Sequence, residues 1–147
     1  MSKEKKKLYQ ACLDVVNQRV ENAKVAIKAA QDAANDDSKS SSTDEGDAEL
    51  ALRQMDVENH SKSLGEAMKL KEQLKAINPE KVNDTVIAGA MVETNNGKFY
   101  IAIPAGKLPG DFFGISLSSP IGQALRGLKK GQSANFNGKK YTISKLS

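Results

Sequence analysis

The hydrophobic pattern of the chain changes period once, at Ile77-Asn78-Pro79. Before this point apolar residues recur at three- and four-residue steps, the spacing that gathers them on one face of an α-helix. After Val82 the periodicity becomes alternating, in short runs bounded by turn signals, which is typical of strands. Because proline disfavours helical backbone in the residue before it, Pro79 predicts the end of the helical part. The sequence therefore predicts an α+β protein divided into residues 1–78 and 79–147.

The helical part predicts two helices, near residues 6–35 and 46–77, that pack antiparallel as a slender hairpin. Neither helix is apolar all round, so each is expected to lay one apolar stripe on its partner. The first stripe consists of Leu8, Cys12, Val15, Val16, Val20, Ala23, Ile27 and Ala30. The second stripe consists of Leu52, Met55, Leu64, Met68, Leu74 and Ile77.

The connection between the helices, about residues 35–50, is rich in serine and acidic residues. Serine and aspartate favour turns and helix caps, and acids suit the first turn of a helix because they complement its dipole. Residues 32–58 hold nine acids against Lys39 and Arg53, a net charge of −7, whereas residues 81–147 hold nine basic residues against three acids, a net charge of +6. This segregation predicts a molecule with two electrostatically different ends.

The second part predicts a small sheet with one short helix. Strand candidates cover residues 85–92, 98–103, 115–117, 133–136 and 140–143. Asn95-Asn96-Gly97 and Asn137-Gly138 are hairpin signals, because asparagine and glycine tolerate positive φ. Residues 120–126 predict a helix with Ser119 as its cap and Pro120 at its first position.

Residues 115–132 read Ile-Ser-Leu-Ser-Ser-Pro-Ile-Gly-Gln-Ala-Leu-Arg-Gly-Leu-Lys-Lys-Gly-Gln and continue into the predicted closing hairpin at 136–143. This stretch resembles the signature of the Gre family of bacterial transcript-cleavage factors. The order of a helical hairpin followed by a small domain also matches that family. The resemblance implies an N-terminal antiparallel coiled-coil hairpin and a C-terminal antiparallel β-sheet domain of FKBP-like fold.

The resemblance also implies a function. In the family, acids at the hairpin tip pass through the secondary channel of RNA polymerase and help to hold Mg²⁺ for cleavage of a backtracked transcript. Residues 44–50 resemble the family's tip pattern with one residue deleted and Leu50 in the aromatic place. The tip acids carry over to Asp44 and Asp47, with Glu49 following, and the competing acids are Asp36 and Asp37.

The expected partner is bacterial RNA polymerase, with nascent RNA or DNA contacted only indirectly. The C-terminal domain is expected to bind the rim of the channel through Ser118, Ser119, Pro120 and Ile121, with Lys129 and Lys130. The chain would then be a monomeric accessory factor rather than an enzyme, with no stably bound cofactor of its own. A tip bearing two carboxylates fits this role, because Mg²⁺ typically takes one or two carboxylates from a protein.

Three alternatives stay open at this stage. The acid run could simply keep a coiled-coil hairpin solvated, or the chain could enter the channel as a regulator or inhibitor without promoting cleavage. An FKBP-like domain could also isomerise proline bonds, although its aromatic residues are better explained as a small core. Lys129, Lys130, Lys139 and Lys140 fit either a solvated turn or contact with RNA or with an acidic polymerase surface.

The remaining reactive residues predict no further chemistry. Cys12 is the only cysteine, so the chain cannot form an internal disulfide or a cysteine-cluster zinc site. A reducing, cytoplasmic location is expected, and no apolar run approaches the ~20 residues that span a bilayer. Cys12 is predicted to be a small core residue, and His60 a surface or seam residue of the second helix.

Overall fold

The computed structural model describes the backbone of residues 2–37 and 44–147 and the side chains of residues 3–33, 51–52 and 54–147. Two long helices come first, α1 (Ser2–Asp37) and α2 (Asp44–Lys75). A sheet and a short helix follow: β1 (Met91–Thr94), β2 (Gly97–Ile101), β3 (Gly106–Lys107), β4 (Phe112–Ile115), α3 (Pro120–Leu125), β5 (Ser133–Phe136) and β6 (Lys139–Leu146). The predicted α+β class is confirmed. Both predicted long helices and the predicted short helix are present.

The chain forms two compact units, and each contains part of both long helices. One unit comprises Met1–Val15 and Leu70–Ser147, and the other comprises Val16–Lys69. The start of α1 therefore belongs with the end of α2, and the end of α1 with the start of α2, so the two helices run antiparallel. The predicted division at residue 78/79, as a boundary between separate domains, stays a prediction.

The apolar stripe of α1 is confirmed. Leu8, Cys12 and Val16, spaced by four residues, are almost fully buried, and Ala23 continues the stripe. No helix in the described residues is long and apolar enough to cross a membrane.

The stripe predicted for α2 is wrong at three positions. Leu52, Met55 and Met68 are each more than half exposed, at 62%, 57% and 52%. Only Ala67 and Leu74 are fully buried among the described side chains of this helix. The buried positions Ala67 and Leu74 are seven residues apart, a narrower stripe than the spacing predicted.

The first turns of α1 are bound to the segment that follows α2. Lys5 is 3% exposed, and its Nζ donates a hydrogen bond to the carbonyl oxygen of Lys81. Burial, followed by the neighbouring Lys81 charge, lowers the pKa of Lys5. Lys6 Nζ lies 2.8 Å from a carboxylate oxygen of Glu80. The sequence predicted neither contact, because the partners are more than seventy residues apart along the chain.

The six strands lie in the order β3-β4-β2-β1-β6-β5. The sheet is mixed rather than wholly antiparallel, because β2 and β4 run parallel with Lys98 opposite Phe112. All other neighbouring pairs are antiparallel. Of the predicted strand at 85–92 only its end is a strand, since Gly89 has φ +94° and a turn joins the Ala90 N–H to the Ile87 carbonyl oxygen.

Both predicted hairpins form, but by different means. Asn137 and Gly138 have φ of 50° and 77°, as the Asn-Gly signal predicts. In the other turn only Gly97 has positive φ. There the asparagine side chains reach β6 instead: Asn95 Oδ1 accepts from the Thr142 N–H at 2.8 Å, and Asn96 Nδ2 donates to the Lys140 carbonyl oxygen at 2.7 Å.

The core of the sheet unit is mainly aliphatic, with two aromatic rings in contact. Phe99 and Tyr141 lie 6.1 Å apart between ring centroids. The buried cluster consists of Val86, Ala90, Val92, Phe99, Ile101, Leu125, Tyr141 and Ile143. Tyr100 and Phe112 are also fully buried. The aromatic residues are therefore mostly core residues, which removes the support for a prolyl isomerase pocket.

Candidate functional site

The predicted tip acids lie at the end of α1 and at the start of α2. Asp36 and Asp37 end α1, whereas Asp44 begins α2 and Asp47 and Glu49 fall in its first two turns. Their side chains lie outside the described residues. Positions 44 and 47 share a helix face because they are three residues apart, and position 49 does not share it with 47. Helical spacing therefore favours 44 and 47 as a pair.

The predicted docking corner, residues 118–121, is a tightly bonded turn at the start of α3. Ser119 is the N-cap: its Oγ accepts a hydrogen bond from the Gly122 N–H at 3.1 Å and donates one to the Ser116 carbonyl oxygen at 2.7 Å. Pro120 occupies the first helical turn, where its missing N–H costs nothing. The predicted cap is confirmed.

Gly122 is a part of this corner that the sequence analysis missed. A Cβ on Gly122 would collide with the carbonyl oxygen of Ser116 and lie 2.9 Å from Ser119 Oγ and 3.0 Å from the Leu117 carbonyl oxygen. Only a residue without a side chain allows α3 to sit this close to the preceding loop. Its position two residues after Pro120, in the first turn of a serine-capped helix, is the signal that could have found it.

The corner presents its residues unequally to solvent. Ser118 and Pro120 are exposed, whereas Ser119 and Ile121 are half-buried, and Ile121 packs on the core cluster. Ser118 Oγ lies 3.0 Å from Ser116 Oγ, and its carbonyl oxygen accepts from Gln123 Nε2 at 3.2 Å. Ser118 and Pro120 are thus the residues that a partner would meet first.

A shallow apolar groove adjoins the corner and was not predicted. We call it the corner groove; it has a volume of about 330 Å³. It brings the end of α2 beside the sheet, and its lining is Gln73, Ala76, Ile77, Ala88, Ala102, Ser116, Leu117 and Ser118. Small side chains with a few hydroxyl and amide groups suit an apolar side chain of a partner better than a charged ligand.

The predicted lysines lie on the turn after α3 and on the last hairpin. Lys129 and Lys130 are exposed, and the turn is closed by the Lys129 N–H donating to Gln132 Oε1 at 2.8 Å. Lys139 and Lys140, at the start of β6, are also exposed. Within the described part of the chain none of these four side chains forms an ion pair. The acid Glu93 pairs with Lys98 and Lys145.

The remaining reactive residues behave as predicted or stay unassigned. Cys12 is fully buried, and burial raises the pKa of its thiol to about 12, so it is a core residue. His60 is half-buried in α2. Across residues with described side chains, no group of three histidines, cysteines or acids is placed to hold a metal ion.

The fold and the corner together define a long antiparallel helical hairpin joined to a small mixed sheet with a serine-proline-capped helix. No family model and no curated protein sequence matches the chain. Among solved structures, the chain is similar to GreA factor homolog 1 of Thermus thermophilus. The identity is 16%, the TM-score is 0.35, and the match covers 97% of this chain and 96% of that one.

Proposed function

We propose that this chain is an RNA polymerase-binding transcription elongation factor that stimulates Mg²⁺-dependent cleavage of backtracked transcripts. The observation that carries the proposal is that acids end α1 and begin α2 in a chain that also has a serine-proline-capped helix like that of the Gre signature. In this proposal the hairpin enters the secondary channel, and the chain is an accessory factor to the polymerase's own hydrolytic activity.

The helix lengths support a role at a distance. The 36 residues of α1 and the 32 residues of α2 correspond to about 54 Å and 48 Å at 1.5 Å per residue. A hairpin of this length buries little apolar surface for its size, as the exposed Leu52, Met55 and Met68 illustrate. Insertion into a deep channel would make use of helices of this length.

The tip acids fit a shared magnesium site. Two carboxylates at helical positions 44 and 47 match the one or two that Mg²⁺ typically takes from a protein, and the polymerase would supply the remaining ligands. Asp44 and Asp47 would help to hold the ion, which would supply Lewis-acid activation of a water and charge stabilisation at the reacting phosphate. In this proposal Asp44 and Asp47 would supply two carboxylate groups from the first turn of α2, and Glu49 would add negative charge in the following turn.

The experiment is a transcript-cleavage assay on a stalled, backtracked complex of the cognate polymerase. The double variant Asp44→Asn/Asp47→Asn keeps the side-chain shape and removes the charge. We expect it to fold, to compete with the parent for polymerase, and to lose the stimulation of cleavage. The matched control Asp36→Asn/Asp37→Asn removes the same charge from α1 and should retain stimulation.

Each other outcome has a definite meaning. Loss of stimulation in the Asp36/Asp37 control alone would move the site to the end of α1. If the parent chain binds polymerase and blocks the channel without stimulating cleavage, it is an inhibitor of the same channel. If it binds no polymerase, the proposal is wrong.

The docking corner is tested by binding rather than by cleavage. We expect substitutions at Ser118, Ile121 and Lys129 to weaken polymerase binding in variants that remain folded. Ser118→Ala is the cleanest of these, because Ser118 is exposed and does not cap α3. Unchanged affinity in all three variants would place the docking face elsewhere.

A further inference from the structure

Strand β5 forms one outer edge of the sheet. β5 is the last strand in the sheet order and pairs only with β6. A two-residue turn joins β5 to β6, so Phe136 and Lys139 beside it form a hydrogen-bonded pair. Along the antiparallel ladder, non-hydrogen-bonded and hydrogen-bonded pairs then alternate. This alternation turns the N–H and C=O groups of Ser133 and Asn135 away from β6. Both residues are exposed.

The opposite ends of this edge carry unpaired positive charge. Lys129 and Lys130 precede β5, and Lys139 and Lys140 stand opposite its last two residues, Phe136 and Asn135. We call these four residues the lysine cluster; in the described structure none has an acidic partner, and all four are exposed. Lysine side chains close to an edge strand discourage uncontrolled pairing between sheets.

We propose that β5 accepts an extended acidic segment of a partner protein as a seventh strand of the sheet. Such strand addition uses main-chain hydrogen bonds for affinity and side-chain charge for selection. The Ser133 and Asn135 groups lie about 6.8 Å apart at 3.4 Å per residue, the repeat that an added strand also has. This proposal does not depend on the identity of the partner or on the tip acids.

Charge decides between the possible occupants of the edge. A second copy paired through β5 in the antiparallel sense would bring Lys129 and Lys130 against Lys139 and Lys140, and like charges facing each other destabilise such a pair. An acidic segment replaces that repulsion with attraction at both ends of the strand. The lysine cluster therefore discourages self-association and favours an acidic partner.

A single-stranded nucleic acid fits the edge less well. Such ligands stack their bases on exposed aromatic rings. Beside β5 the aromatic residues are Phe136, which is half-buried against the core, and Tyr141, which is buried. The exposed Phe113 lies on β4, with β2, β1 and β6 between it and β5. The outward N–H and C=O groups, in contrast, match a peptide backbone.

The test uses the whole chain and a short capped peptide of alternating glutamate and valine. Titration is followed by amide chemical shifts and by hydrogen exchange. We expect salt-sensitive binding, with slowed exchange at the Ser133 and Asn135 amides. A peptide in which lysine replaces glutamate should not bind, and a single-stranded oligonucleotide of equal charge should bind more weakly than the acidic peptide.

Two variants separate strand addition from simple charge attraction. Asn135→Pro removes an outward N–H that the β6 ladder does not use, so the fold should persist while affinity falls by about tenfold or more. The matched control Asn135→Ala keeps the N–H and should bind as the parent does. Replacing the four lysines by glutamine keeps the edge and should also reduce affinity.

Three results would overturn the proposal. The first is that a folded Asn135→Pro variant binds the acidic peptide as tightly as the parent does. The others are that the oligonucleotide binds more tightly than the acidic peptide, or that this peptide does not bind at millimolar concentration. If Asn135→Pro fails to fold, the amide exchange of the parent chain decides alone. Protection confined to the lysine-bearing turns, without Ser133 and Asn135, contradicts strand addition.

Discussion

Replacing Gly122 by alanine tests whether the docking corner depends on a close backbone approach. The added methyl group would collide with the carbonyl oxygen of Ser116 and press on Ser119 Oγ and the Leu117 carbonyl oxygen. Two of these three neighbours are backbone atoms, which cannot rotate away. The loop before α3 must therefore move, and the Ser119 cap that holds it must stretch or break.

The magnitude follows from two opposing effects. Overpacking of a tight site typically costs about 1–3 kcal/mol, and loss of a serine cap adds about 1 kcal/mol. Alanine in place of glycine within a helix recovers about 0.5–1 kcal/mol. We therefore expect Gly122→Ala to lower the free energy of unfolding of its unit by about 1–3 kcal/mol.

Gly65 provides the matched control. It lies within α2, is exposed, and a Cβ there would meet nothing within 4 Å. Gly65→Ala should therefore stabilise its helix by about 0.5–1 kcal/mol. The same chemical change is thus expected to have opposite signs at the two positions, and only the packing around the added methyl group differs.

The assay is residue-resolved hydrogen exchange in both variants, because two compact units need not unfold together. In Gly122→Ala the amides of Gln123 and Arg126, which donate to Ser119 and Gly122, should exchange faster than in the parent. Gly65→Ala should leave these amides unchanged. A Gly122→Ala variant with parental exchange at Gln123 would refute the claim that the corner needs glycine.

Three other substitutions test the core and the cap. Tyr100→Phe should stabilise the protein by about 1 kcal/mol in urea unfolding, because the buried Tyr100 hydroxyl has no hydrogen-bond partner among the described residues. A loss of stability would show that the hydroxyl does form a hydrogen bond. Cys12→Ala should make stability fall less steeply at alkaline pH. Burial raises the pKa of the Cys12 thiol from 9.0 to about 12, so folding favours the neutral thiol. The parent has this contribution in full below pH 9 and loses at most about 4 kcal/mol of it between pH 9 and 12. Equal slopes in parent and variant over that range would contradict it. Ser119→Ala should cost about 1 kcal/mol in thermal unfolding by removing the cap, and an unchanged melting temperature would contradict this.

Local signals predicted most of the fold. The four-residue repeat of Leu8, Cys12 and Val16 is sufficient to predict which face of α1 is buried, and these residues are almost fully buried. Asn137-Gly138 predicts its own turn because both residues adopt the positive φ that such a turn requires. In each case the information lies within a few neighbouring residues, and the structure uses it directly.

Elements that depend on distant contacts were predicted less well. Leu52, Met55 and Met68 have plausible helical spacing, but each is more than half exposed, and Ala67 and Leu74 are the buried described residues of α2. The segment before Met91 is apolar enough for a strand, yet Val86 is held instead by hydrogen bonds with Gly127 and Leu128. The parallel pairing of β2 with β4 likewise depends on the loop between them and not on either strand alone.

The candidate site shows the same difference between features set by neighbouring residues and features set by distant contacts. The cap could be predicted because Ser119 and Pro120 are adjacent at the start of α3, whereas the need for glycine at position 122 follows only from the nearby Ser116 carbonyl oxygen. The corner groove could not, because it joins Gln73 and Ile77 to Ser118, some forty residues further along the chain. The tip acids differ again, since one or two carboxylates complete a magnesium site only with ligands from another molecule. A test of Asp44 and Asp47 therefore has to be made on the polymerase complex, whereas the corner and the β5 edge can be tested on this chain by itself.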